Sequence, residues 1–216
     1  MKQLTVIIPL YNRENYINRT LRSVFNQSLD KNLYDVIIVD DNSTDKSLSA
    51  ISSYMDDIIL IQNKKNYGLP KSLNIGIKNT KTRYFVRIDS DDFVNEHFLL
   101  ILLQAILNNE NFKAVACDYF LVDENEAIMK RISSKINPIG CGIIFERDAF
   151  IDLGLYNETF VVNEEVELMN RFIKKYKLLN IPFPLYRYRM HKNNLTKNTK
   201  LKKKYDLMLK EINYEL

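Results

Sequence analysis

The sequence predicts an α/β fold: one Rossmann-like domain with a central, mostly parallel mixed sheet and helices on both faces. Three observations predict it. Short apolar, β-branched runs alternate with stretches whose apolar residues recur at helical spacing. The runs read as buried strands, and strands separated by helices of this length pair in parallel. A chain of 216 residues has room for one such domain with a sizeable core.

Leu4–Leu10 is the first strand. After the polar turn Tyr11-Asn-Arg-Glu14, Ile17, Leu21, Val24 and Phe25 share a helical face. Val36–Val39 is a second strand, followed by Asp40-Asp-Asn-Ser-Thr-Asp45, where Ser43 or Thr44 is expected to cap a helix reaching about Tyr54. Ile58–Ile61 is the third strand and Leu69–Asn79 a helix. Tyr84–Ile88 is the fourth, running directly into Asp89-Ser-Asp-Asp92, and a helix carries Phe98, Ile101, Leu102, Ala105 and Ile106. The second half is less regular. Ala114–Val122 and Ala127–Ile132 read as strands, and Gly140-Cys-Gly142 marks a bend before Ile143–Phe145. Helices are expected over Arg147–Leu153 and Glu164–Tyr176, with Leu185–Met190 extended. In the tail, Leu201, Tyr205, Met208, Leu209, Ile212 and Leu216 fall on one helical face. No internal repeat or linker divides the chain.

Composition excludes several classes. Two cysteines, Cys117 and Cys141, make no disulfide scaffold or Cys-rich zinc module and read as small buried hydrophobes. The longest apolar run is far short of a membrane span. Thr5 and Pro9 interrupt the first apolar stretch, so no signal peptide is expected there. These features predict a soluble, cytoplasmic protein. The net charge of +4 resides in residues 191–216, with seven lysines against three acids; residues 1–190 balance at 24 of each. A neutral body with a basic tail does not predict a nucleic-acid binder.

Ligands of an open parallel sheet bind beyond the carboxyl ends of its strands. Three polar clusters fall there: Tyr11-Asn12, Asp40-Asp41, and Asp89 with Asp91 and Asp92. Three carboxylates within four residues repel one another unless a cation joins them. Hard divalent ions such as Mg²⁺ or Mn²⁺ take oxygen ligands of this kind; the plainer reading is an acidic helix cap at the surface. No G-x-G-x-x-G, P-loop or G-x-S-x-G motif is present, so a bound nucleotide must be held by side chains and a metal.

Val6-Ile-Ile-Pro-Leu-Tyr-Asn12, Val36-Ile-Ile-Val-Asp-Asp-Asn-Ser-Thr-Asp45, Asn66-Tyr-Gly68 with Asn74-Ile-Gly76, and Arg87-Ile-Asp-Ser-Asp-Asp92 together resemble the family-two glycosyltransferases of GT-A fold. The match runs in order over about residues 3–190. The resemblance implies inverting transfer of a sugar from a nucleotide diphosphate donor, UDP by family frequency, to a hydroxyl of a glycan or lipid-linked glycan acceptor. It also implies that Pro9, Tyr11, Asn12 and Asp41 contact the base and ribose. Asp89, Asp91 and Asp92 then map to the segment holding Mn²⁺ or Mg²⁺ on the diphosphate, and which of the last two is the direct ligand stays open. His191 matches a position near the metal or diphosphate, with a surface histidine the alternative. Lys71, Arg187 and Arg189 are further candidates to face the diphosphate. The family's base lies in a Glu-Asp pair opening a helix, matched by Glu164-Glu165; Glu165 stands where the family has the Asp, with Glu164 and Glu167 as fallbacks. Acids also favour a helix N-terminus without any catalytic role.

The resemblance further implies a nucleotide-binding part over about 1–92 and an acceptor part over about 93–190; charge and apolar spacing make 191–216 a basic amphipathic helix. That helix docks on the body, self-associates, or lies on an anionic membrane surface; docking or self-association is favoured because Asp206, Glu211 and Glu215 interrupt its basic face. Bacterial surface-glycan assembly is the expected setting, at the inner face of the membrane if the helix binds lipid. A catalytically silent sugar-nucleotide binder is the alternative, with a nucleotidyltransferase behind it.

Overall fold

The structure, a computed structural model, describes residues 1–192, 194 and 199–212. Nine strands among them form one sheet: β1 (Leu4–Leu10), β2 (Tyr34–Asp40), β3 (Ile59–Gln62), β4 (Tyr84–Arg87), β5 (Phe93–Val94), β6 (Ala114–Val122), β7 (Ile128–Ile132), β8 (Ile143–Glu146) and β9 (Leu178–Arg189). The order is β3-β2-β1-β4-β8-β6-β9-β5, with β7 paired to β6. The first four strands are parallel, as expected. Beyond β4 the ladder turns antiparallel except between β6 and β9, so the sheet is mixed, and its parallel character belongs to the first half.

The period-two alternation of β1 divides the core. Leu4, Val6, Ile8 and Leu10 pack with α1 (Ile17–Phe25) and α4 (Phe98–Leu107), while Ile7 faces Leu73 and Ile77 of α3 (Leu69–Asn79) and Phe172 of α6 (Glu164–Lys175). Helices therefore cover both faces, each sealed by its own apolar cluster. Pro9 is tolerated within the central strand for a geometric reason. The Ile7 carbonyl accepts the Ile88 N–H, which places odd residues of β1 toward β4. Pairing with β4 ends at Ile7 opposite Arg87, so the N–H that proline lacks has no partner to lose.

Two expectations are corrected. Ser43 and Thr44 do not cap the second helix, α2, which spans only Ser47–Ala50 and gives way to a 3-10 turn over Ser52–Tyr54. Their polar groups are engaged elsewhere. Ser43 accepts the Asn12 N–H at 3.1 Å, and Asn12 Oδ1 accepts the Thr44 N–H at 2.8 Å. The extended segment expected from Leu185 begins at Leu178, as β9 pairs along the whole of β6.

The last helices are α5 (Arg147–Asp152) and α7 (Thr199–Glu211). The tail helix thus starts later than 191; Leu216 lies outside the described residues. Tyr205, Met208, Leu209 and Ile212 pack on Phe160 and Val162, so α7 docks on the body. Among the described residues no helix is long and apolar enough to cross a membrane.

Candidate active site

Strand register brings the three polar clusters together. Leu10 lies opposite Asp40 and Ile7 opposite Arg87, so the segments after β1, β2 and β4 leave the sheet at one end. With the loop before β8, the start of α6 and part of α7 they enclose a cavity of about 720 Å³. Pro9, Tyr11, Asp41, Asp89 and Asp91 line it from the first half of the chain, Glu164 and Glu165 from the second.

Asp41 is buried and tied to the frame. Its Oδ1 accepts from Asn63 Nδ2 and the Tyr67 N–H, and its Oδ2 from the Gly68 N–H, all at 2.8 Å. Gly68 sits at φ +88°, a left-handed conformation natural to glycine, which turns its amide to the carboxylate at the start of α3. Asn12 lies outside the lining. At φ +50° it uses its side chain to join the turns after β1 and β2. Lys71 is also outside the lining, near Glu158 at 3.8 Å and over the Tyr67 ring.

The buried Arg87 joins the two halves of the site. Its Nε and Nη2 donate to Asp89 Oδ1 and Oδ2 at 2.6 and 3.0 Å, and Nη1 donates to Glu164 Oε1 at 2.9 Å. This fork is a strong, geometrically specific ion pair. Gly140 sits against it: a Cβ there would approach Arg87 Nη1 and Glu165 Cβ to 2.9 Å each. Glu164 is thereby committed to Arg87. Burial and the neighbouring Glu164 charge push the Glu165 carboxyl up to about 8, into the range where a carboxylate serves as a general base near neutrality.

Asp91 Oδ2 accepts from Arg13 Nε and from His191 Nε2, both at 2.9 Å. Burial would raise this carboxyl, but the bond from His191 and the Arg13 charge outweigh it and hold it below the usual range. His191 is buried and stacks on Tyr16, so it is not a surface histidine. Asp92 is different again. It accepts from the Arg189 N–H at 2.7 Å and from Tyr186 Oη at 2.8 Å, away from the lining. Burial, then the charges of Asp91 and Asp89, push it well up.

Two groupings could concern a metal. Asp89, Asp92 and Cys141 place ligand atoms within 4.8 Å of one another. These atoms are already committed, however: Asp89 to Arg87, Asp92 to Tyr186 and Arg189, and burial pushes the Cys141 thiol well above its ordinary value, disfavouring the thiolate a metal needs. Asp91 with His191 is the second grouping, a carboxylate that lines the cleft and a buried imidazole behind it, bonded to each other at 2.9 Å and of the donor types that suit Mn²⁺.

Sequence reasoning missed Arg13, Tyr186 and the role of Arg87. A signal existed for Arg87 alone, since period-two alternation puts it on one side with Asp89. Arg189, a candidate for the diphosphate, instead donates through Nε to the Asp91 carbonyl at 2.9 Å and through Nη2 to Glu126 at 3.0 Å. Arg187 lies over the Phe120 ring and donates to the Pro184 carbonyl.

Comparison with known proteins adds three findings. The sequence model of Glycosyl transferase family 2 matches residues 5–153. Among curated relatives, an uncharacterized glycosyltransferase of Haemophilus influenzae is 29% identical over 88% of this chain and 66% of its own length. The poly(ribitol-phosphate) beta-N-acetylglucosaminyltransferase TarP of Staphylococcus aureus is 33% identical over 67% of this chain and 45% of its own. The chain thus spans about half to two thirds of the length of these two relatives. Among solved structures, S. aureus TarS 1–349 in complex with UDP-GlcNAc shares the fold with a TM-score of 0.77 at 20% identity, covering 91% of this chain and 61% of that one. A Pyrobaculum calidifontis mannosyltransferase in complex with GDP-Man and Mn²⁺ does so with a TM-score of 0.72 at 18% identity, over 89% of this chain and 58% of that one.

Proposed function

The chain belongs to glycosyl transferase family 2, and on that premise we propose that it is an inverting glycosyltransferase moving a sugar from a UDP-sugar to an acceptor hydroxyl in the assembly of a bacterial surface glycan. One observation carries the reading: a single cavity is lined by Asp41, Asp89 and Asp91 together with Glu165, whose carboxyl is pushed up to about 8. Relatives and fold neighbours that act on poly(ribitol-phosphate) or bind UDP-GlcNAc support the donor class and the setting.

In this reading the nucleoside lies against Pro9, Tyr11 and Asp41, and the diphosphate faces Asp91 and His191. Those two residues would hold a Mn²⁺ or Mg²⁺ ion, which supplies neutralisation of the charge developing on the leaving diphosphate. Asp92 serves instead to brace the end of β9, through Tyr186 and Arg189. Arg87 occupies Asp89 and Glu164, so Glu165 is the carboxylate left to take the acceptor's proton. A base on the face opposite the leaving group gives one displacement and inversion at the sugar carbon.

The test is turnover of UDP-glucose, UDP-galactose and UDP-N-acetylglucosamine, with UDP affinity measured beside it. Glu165→Gln removes the base but keeps the shape. It should cut turnover by about a hundredfold or more, the usual worth of a general base, with UDP affinity within about twofold. A wild type that neither binds UDP nor releases it from any of these sugars overturns the proposal.

A further inference from the structure

α7 carries a contact that the proposed mechanism does not use. Tyr205, with Met208, Leu209 and Ile212 packed beside it, forms a small apolar cluster with Phe160 and Val162, separate from the two main ones; the Phe160 and Tyr205 ring centroids are 5.7 Å apart. Beside that cluster Asp206 Oδ1 accepts from Asn163 Nδ2 at 2.7 Å. Asn163 is the N-cap of α6, at φ +64° and ψ +21°, and its side chain makes no capping bond. An asparagine at this position ordinarily accepts an N–H of the first helical turn. Here its amide is turned outward to α7, and the residues directly after it are Glu164 and Glu165. Asp206 and Leu209 also line the cavity, with Val161, Val162 and Val166.

We infer that α7 closes the side of the cleft where α6 begins and that Asp206 is a positioning residue, which fixes Asn163 and through it the placement of Glu165. The inference rests on the reading of Glu165 as base and goes beyond it by giving the tail a catalytic task. The physical reason is leverage. A charge-assisted bond holds the residue where the chain enters α6, and a shift of about 1 Å in a reacting group can cost a hundredfold in rate.

The experiment is a double-mutant cycle in the full chain with Asp206→Ala and Asn163→Gly, glycine accepting the left-handed backbone while lacking the amide, and with Asp206→Asn as the conservative control. Each single change should lower kcat about tenfold on whichever of UDP-glucose, UDP-galactose or UDP-N-acetylglucosamine the wild type turns over, with donor KM within twofold. The pair should lower it no further, and Asp206→Asn, which keeps an acceptor oxygen, should restore most of it. Amide hydrogen exchange over residues 164–168 should quicken in step. Unchanged kcat in Asp206→Ala, additive losses in the double variant, or equal loss of kcat and UDP affinity would overturn the inference. Absence of UDP binding in the wild type would instead remove the functional reading, and unchanged exchange in that case would still refute the coupling of α7 to α6.

Discussion

At the proposed donor end of the cleft, Asp41 holds three frame donors, Asp89 is forked by Arg87, and Asp92 sits behind the wall on Tyr186 and Arg189. Elsewhere the wall of the same cavity is apolar, with Ile139, Val161, Val162, Val166 and Leu209, and Glu165 lines it as well. The contrast separates two uses of the same chemical group. Asp41 and Asp89 are held in place by their donors, whereas Glu165 is kept poorly solvated, its affinity for the proton raised. Arg87 divides them, since it spends its charge on Asp89 and Glu164.

The largest expected effect comes from removing that divider. Arg87→Leu leaves the half-buried Asp89 and the buried Glu164 without their partner and should cost about 3–5 kcal/mol. At about 2–4 °C per kcal/mol for a chain of this size, calorimetry should show a fall in Tm of about 10 °C. A loss under about 2 °C would mean that the two ends do not depend on a shared cation.

Asp91→Asn is next and is confined to the donor end. It removes the ionised oxygen that faces Arg13 and His191 and should weaken Mn²⁺-dependent UDP binding about a hundredfold by calorimetric titration, on the scale of a lost charged contact at 2.7 kcal/mol. Asp92→Asn should reduce stability without that metal-linked loss. Equal effects of the two on metal-linked binding would erase the distinction drawn between them.

The smallest effect is steric. Gly140→Ala puts a methyl 2.9 Å from both Arg87 Nη1 and Glu165 Cβ, and overpacking of this kind costs about 1–3 kcal/mol. The variant should lose a few degrees in Tm and keep UDP affinity, because the clash lies between the fork and α6 and not at Asp41.

The two regions also differ in how much of them could be read in advance. β1 to β4 with the turns after them are local patterns, and the motifs of the first half sit in or beside those turns. Even there Ser43 and Thr44 misled, because the Asn12 that redirects them is about thirty residues earlier in the chain. The second half depends on contacts no local pattern encodes. Arg87 meets Glu164 across 77 residues, Arg189 meets Asp92 across 97, and Asp206 meets Asn163 across 43. Periodicity showed an apolar face on the tail helix; it could not show that Phe160 and Val162 cover that face.

The central claim is that Glu165 is the proton acceptor of this cleft, and the pH dependence of sugar transfer tests it most directly. A carboxyl raised to about 8 is protonated at lower pH and cannot accept a proton. The rate should therefore rise about tenfold per unit up to that value and level off above it. Glu165→Gln should give a flat profile at the residual rate. A Glu165→Gln enzyme that keeps the wild-type rate and the same rise toward pH 8 would contradict the claim.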